Sequence, residues 1–222
     1  MRVAGFILAI ACVAPLAVAQ TMNIDFNWNG VGSVPNSTYS AAGIAGVWNN
    51  ANVSTNNVSN LPLVDLAGFA TSAVLNAPSF GGNWSGSGPW SGNDQALMED
   101  LIGSGSNPGQ INFSGLTVGL YDVILYGMNA TGNSTTQFTI NNITQTTGGA
   151  WAGFHTPGGS FTLFSNVVAV GSMNISYLGN CNGIQLMHRP LPEPGSILAL
   201  TGGFLAMGMR RLRRRSKLAS TD

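Results

Sequence analysis

From residue 110 to residue 188 apolar and polar side chains alternate so persistently that β-structure is the only regular form that suits the pattern. Residues 120–126 put Tyr121, Val123 and Leu125 on one face and Asp122, Ile124 and Tyr126 on the other, the two-residue period of a strand. Ile111 and Phe113 share a face in residues 110–116, after a turn at Asn107-Pro108-Gly109. Residues 135–140 and 143–147 flank Asn141-Asn142, a pair that tolerates positive φ and closes a tight hairpin. Residues 160–170 and 172–178 follow, joined at Gly171, and residues 183–187 form a last strand. Strands and turns recurring every 8 to 12 residues or so predict a mainly β protein, an antiparallel β-sandwich.

The N-terminal half carries the pattern less evenly. Met22, Ile24, Phe26 and Trp28 alternate with Asn23, Asp25 and Asn27, predicting a first strand with one face buried. Residues 29–60, rich in Asn, Ser and Gly with Tyr39 and Trp48 among them, read as loops with at most one or two short strands. Residues 64–77, closed by Pro78, read as one buried strand. The Gly and Pro density of residues 79–93 predicts a long loop there, carrying Trp84 and Trp90. One short helix is expected over residues 93–102, capped by Asn93 or Asp94. Leu97, Met98, Leu101 and Ile102 fall at helical spacing, Gly103 is a terminator, and Glu99 and Asp100 read as solvated. No fixed-period repeat is visible, so residues 20–188 are taken as one folded domain.

Charge divides the chain sharply. Six of its eight basic residues lie in residues 210–217, and none lies between residues 20 and 188, where Asp25, Asp65, Asp94, Glu99, Asp100 and Asp122 sit. Nucleic acid is therefore excluded as a partner, because displacing counterions from phosphate takes lysines and arginines. The N-terminus accounts for another part of the composition. Arg2, an apolar run over residues 3–16 and Ala17-Val18-Ala19 form a secretory signal peptide cleaved between Ala19 and Gln20. Cleavage there leaves Cys181 without an intrachain partner, and with so few positive charges nearby it reads as a small packing residue rather than a reactive thiol.

The tail holds a second signal. Pro192, Glu193 and Pro194 precede an apolar run, residues 195–209, and then Arg210, Arg211, Arg213, Arg214 and Arg215. As a helix that run spans roughly 22 Å, short against a hydrocarbon core of about 30 Å, and its arginines obey the positive-inside bias. This three-part tail, residues 189–217, resembles the PEP-CTERM sorting signal of bacterial exosortase substrates. The resemblance implies a single transmembrane helix used during sorting, an exosortase as processing partner, and a cell-surface or exopolysaccharide-matrix destination. The Gram-positive sortase motif is a rival, and Pro194 stands where sortase requires Thr. Within the domain, Ile111-Asn112-Phe113, Gly119-Leu120-Tyr121, Phe138-Thr139-Ile140 and Asn182-Gly183-Ile184 look like strands of galactose-binding-like or malectin-like jelly rolls. That likeness implies a jelly-roll-like fold and carries over no ligand residue.

Candidate chemistry is sparse. His155 and His188 are the only histidines, the carboxylates are scattered, and neither a Ser-His-Asp order nor a metal-ligand cluster is visible. We therefore expect a non-enzymatic protein with no cofactor and no metal, with a secreted carbohydrate-active enzyme or a purely structural surface protein as alternatives. The features that suggest a ligand are aromatic. Trp84 and Trp90, and Trp151 beside Phe154 and His155, can stack on the apolar faces of sugar rings while neighbouring Asn and Asp read hydroxyls. The same indoles can equally fold back as core. His188, bordering the tail, is expected to be exposed.

Overall fold

The computed structural model describes residues 20–28, 34–78, 81–86, 88–129 and 134–189. The expected signal peptide and sorting motif, the apolar run and the arginine cluster fall outside these residues. In chain order the elements are β1 (Met22–Asn27), β2 (Trp48–Asn52), β3 (Val58–Val64), β4 (Ala70–Ala77), β5 (Gly82–Ser85), α1 (Gly92–Met98) and β6 (Asp100–Gly103). There follow β7 (Gly109–Ser114), β8 (Gly119–Tyr126), β9 (Thr136–Ile140), β10 (Ile143–Thr147), β11 (Phe161–Ala169), β12 (Ser172–Leu178), β13 (Asn180–Cys181) and β14 (Gly183–Arg189). The chain is mainly β with one short helix.

Two large sheets face each other. One has the order β11-β8-β14-β1-β2 and the other β10-β9-β12-β7-β4-β3. The alternation seen in the sequence selects what lies between them: Met22, Ile24 and Phe26 from β1, Tyr121, Val123 and Leu125 from β8, and Ile111, Phe113, Phe138 and Ile175 from the opposite sheet share one core. Cys181 is fully buried in it, and burial raises its thiol pKa well above the usual range. The hairpin of β9 and β10 turns at Asn141 and Asn142, with φ of 50° and 64°.

The five-stranded sheet is also buried on its other face. Ile124 and Tyr126, on the alternate side of β8, join Trp48, Trp90, Leu97, Met98, Met128 and Phe161 in a second apolar cluster. A cover accounts for this burial, which fails toward the β11 edge, where Leu163 is exposed. β1 and β2 pair in parallel, from Asn23 opposite Trp48 to Asn27 opposite Asn52, whereas every other strand pairing among the described residues is antiparallel. A parallel pair needs a long crossover. The crossover packs Val34, Tyr39, Ala41 and Ala42 onto the second cluster, so the expected all-antiparallel sandwich is corrected at this one pair.

Five further expectations are corrected. Residues 64–77 are not one strand: the Asp65 carboxylate accepts the Ala67 and Phe69 amides, each at 2.9 Å, and this turn separates β3 from β4. Residues 79–93 contain β5, because its backbone pairs with β6 from Gly82 opposite Gly103 to Ser85 opposite Asp100 in a third, three-stranded sheet. The helix ends at Met98 and its N-cap is Ser91, without a side-chain cap bond. Asn93 Oδ1 accepts the Asn36 amide at 3.0 Å instead of capping, and Leu101 and Ile102 lie in β6, where strand pairing overrides helical spacing. Asp100 is consequently buried rather than solvated. His188 too is buried, its ring 4.9 Å from that of Tyr121, because β14 continues to Arg189, which pairs with Asp122.

The start of the domain is fastened by its first described residue. The Gln20 amide nitrogen donates to Ser72 Oγ at 2.8 Å and to the Gly115 carbonyl at 3.2 Å, while its oxygen accepts the Thr117 amide at 2.5 Å. Gly115 has φ of 67°, and a Cβ there would lie 2.0 Å from the Ser72 carbonyl oxygen. Gly115→Ala should therefore cost about 1–3 kcal/mol in denaturant unfolding. Gly82→Ala, where an added Cβ meets no atom within 4 Å, should stay within about 0.5 kcal/mol of the parent protein.

Candidate ligand cleft

Three segments far apart in sequence meet over the outer face of the five-stranded sheet. The crossover brings Tyr39, held by Trp48 Nε1 donating to its carbonyl at 3.2 Å and by a ring contact with Trp48 at 6.1 Å. The first turn of α1 brings Asp94. The stretch before β11 brings Trp151, Phe154 and His155. Tyr39, Asp94, Phe154 and His155 border a cleft of about 400 Å³ that is also lined by Ser40, Ala41, Ala42 and Phe161, and Trp151 packs against His155. A second cleft of about 420 Å³, at Gln20, Asp65, Phe69 and Thr71, gathers no comparable set of converging polar groups.

At the first cleft the polar groups form a chain. The Tyr39 hydroxyl donates to Asp94 Oδ1 and lies 2.7 Å from His155 Nε2, which is itself 3.4 Å from Asp94 Oδ1. On the far side of the imidazole, Nδ1 lies 3.1 Å from Ser160 Oγ, and that oxygen accepts the Thr156 amide at 3.1 Å. With the Ser160 oxygen already accepting, its hydroxyl proton is free to point at Nδ1. This arrangement assigns the imidazole proton to Nε2, facing Tyr39 and Asp94.

Aromatic edges fix the ring from three sides. His155 meets Tyr126 at 5.0 Å and 69°, Trp151 at 5.1 Å and 80°, and Tyr39 at 6.3 Å. Burial holds the His155 pKa down at about 4, against the opposing pull of Asp94, so the imidazole is neutral at pH 7. Burial, then the hydrogen bond to Asp94 and its charge, keep the Tyr39 phenol protonated far beyond its ordinary range. The lining thus combines neutral donors, one carboxylate and an aromatic wall.

The proposed indoles separate. Trp90 is only 6% exposed, within the second cluster, and meets Trp151 edge-on at 6.1 Å and 90°. Trp151 is half-buried and links Trp90 to His155. Trp84 stands on β5, 60% exposed, with no ring contact to either of them. Phe154 is 63% exposed at the cleft. Sequence reasoning missed Tyr39 and Asp94. Tyr39 sat in an Asn- and Ser-rich stretch, and Asp94 was explained by the helix end. Tyr39 lies 116 residues from His155 and 55 from Asp94, and such separations leave no local signal.

No family model matches the chain, and no curated protein matches it. A crystal structure of an exo-β-1,3-galactanase from Phanerochaete chrysosporium with galactose aligns with 58% of this chain and 34% of its own, at 13% identity and a TM-score of 0.29. This chain thus spans about a third of that enzyme. An alignment so distant assigns neither fold nor activity, and the mainly β sandwich rests on the chain's own strands.

His155 sets a pH signature. Between pH 6.5 and about 4 the unfolded chain binds a proton that the folded chain refuses at His155. Stability from this group is therefore full above pH 6.5, falls with pH through that window, and changes no further below it. Asp25 and Asp100, whose pKa values burial raises, act in the opposite sense. They are common to the wild type and a His155→Gln variant, so they cancel in the difference. Denaturant titrations should show the wild type losing on the order of 2–3 kcal/mol relative to His155→Gln between pH 7 and pH 4.

Proposed function

We propose that this protein is exported to the cell surface or an exopolysaccharide matrix, where the cleft at Tyr39, Asp94 and His155 binds carbohydrate. The observation that carries the reading is the neutral Tyr39–His155 pair beside Asp94, placed next to the exposed ring of Phe154 and the half-buried Trp151. A sugar ring offers an apolar face for the aromatics and hydroxyls for the phenol, imidazole and carboxylate. The absence of Lys and Arg from residues 20–188 favours a neutral glycan over a polyanionic one. A jelly-roll-like arrangement of the strands belongs to the same reading.

Binding is favoured over glycoside hydrolysis by the cleft's lining. Asp94 is the one carboxylate among the lining residues, whereas that chemistry uses a carboxyl pair flanking the scissile bond. Delivery rests on the two terminal signals. The PEP-CTERM-like tail directs processing by an exosortase, with transient membrane insertion of residues 195–209. Gln20, already bonded into the domain through Ser72, Gly115 and Thr117, supports signal cleavage just before it.

Two measurements check this. On a panel of neutral polysaccharides, Phe154→Ala combined with Asp94→Asn should weaken binding at least tenfold while Tm falls by no more than about 3 °C, since Phe154 is exposed. Absence of binding to every neutral glycan, or binding indifferent to both changes, would remove the carbohydrate reading. Mass spectrometry of the mature protein should find Gln20 at the N-terminus and a C-terminus upstream of residue 195. A chain ending at Asp222 would remove the exosortase reading.

A further inference from the structure

The side chains of the cleft at Tyr39 are one-sided in what they can still bond. Their two neutral donors are spent inside the protein. The Tyr39 hydroxyl gives its proton to Asp94 Oδ1. His155 Nε2, 2.7 Å from the Tyr39 oxygen, gives its own proton to that oxygen, because the Ser160 hydroxyl occupies Nδ1 at 3.1 Å on the far side of the ring. The Ala42 amide, in the same lining, is likewise taken by the Tyr126 hydroxyl at 2.8 Å. Of the lining side chains only that of Ser40, exposed at the rim, still has a proton to give.

What remains is acceptors. Both contacts of the Asp94 carboxylate use Oδ1, which leaves Oδ2 for a ligand on a side chain that is 32% exposed. The Tyr39 oxygen gives one proton, accepts one and keeps a lone pair. Because Tyr39 is bonded to the same carboxylate, these two acceptors are neighbours. We infer that the sugar in this cleft is held by a vicinal diol that donates both hydroxyl protons, one to Asp94 Oδ2 and one to the Tyr39 oxygen, with its ring face toward Phe154. This rests on the carbohydrate reading and narrows it to sugars unsubstituted at that pair. An ether or ester at either position sets acceptor against acceptor and leaves both without a proton, which costs far more than an extra methyl group does in an apolar pocket. An ammonium group could reach the same oxygens. It would shed a strong hydration shell, and a cleft open enough to leave Phe154 63% exposed has too few acceptors to replace that shell.

Calorimetry on the full-length protein tests this with dextran, galactan and mannan, each beside its fully O-methylated counterpart, and with chitosan as the cationic probe. At least one unmodified polysaccharide should bind, and its O-methylated form should bind about tenfold more weakly or worse. In Asp94→Asn the unmodified polysaccharide should lose about tenfold in affinity. Its advantage over the methylated form should also shrink toward unity, because the amide can donate to an ether oxygen where the carboxylate cannot. An O-methylated polysaccharide that binds the wild type as well as its parent overturns the diol assignment and leaves the carbohydrate reading standing. So does chitosan binding that depends on Asp94 and exceeds every neutral polysaccharide about tenfold, which would make the cleft an ammonium site. Failure of all the neutral polysaccharides to bind removes the carbohydrate reading and this inference with it. The comparison on the wild type needs no variant, so it decides the matter even where Asp94→Asn does not fold.

Discussion

Burying both faces of the five-stranded sheet is the constraint on which the rest of this structure depends. The inner face is ordinary, apolar against apolar. The outer face carries Asn23, Asp25 and Asn27 from β1 and Gln185 from β14, all buried, and the domain has no lysine or arginine up to residue 188 with which to neutralise or bond them. Side-chain amides do that work. Gln185 donates to Asn23 Oδ1 at 2.8 Å and to the Ile44 carbonyl at 3.1 Å, and accepts the Tyr126 hydroxyl at 2.5 Å. Tyr126 in turn accepts the Ala42 amide at 2.8 Å. The crossover is thereby bonded to the sheet it covers, and a polar face is converted into an interior.

The cleft is a by-product of that cover. It is built from the crossover, the first turn of α1 and the stretch before β11, each laid over the second apolar cluster, and not from the sandwich itself. Its imidazole is neutral because the cover buries it, and its tautomer is set by Ser160 from behind. A binding surface made this way can vary in its loops while the inner core stays fixed.

Legibility in the sequence tracked how local each feature was. The strands from residue 109 onward and the Asn141-Asn142 hairpin were readable, because period-two alternation and turn chemistry are written within a few residues. β5 and β6 were not: Gly82–Ser85 is a strand only because Asp100–Gly103 lies beside it, and Leu101 and Ile102 fit helical spacing just as well. The Asp65 turn was legible in principle, since an Asx residue two and four positions before the bonded amides is a local motif, but the surrounding apolar run masked it. Apolar Ile124 and Tyr126 on the Asp122 side of β8 were the one clear sign that something covers that face. What covers it, and the meeting of Tyr39, Asp94 and His155, depend on the whole topology.

The place of β14 bears on how such a protein reaches its native state. It is the last strand of the domain in sequence, yet it lies in the middle of its sheet, between β8 and β1, and His188 there also donates its amide to Thr21 Oγ1 at 3.2 Å. The first strand must therefore wait for the last. Until residues 183–189 arrive, β1 and β8 have no shared neighbour, the amide network around Gln185 cannot form, and the sheet stays split. Closure of the sheet is thus a late, long-range step of the kind that slows folding, and a chain still being synthesised cannot complete the sheet until residues 183–189 are available.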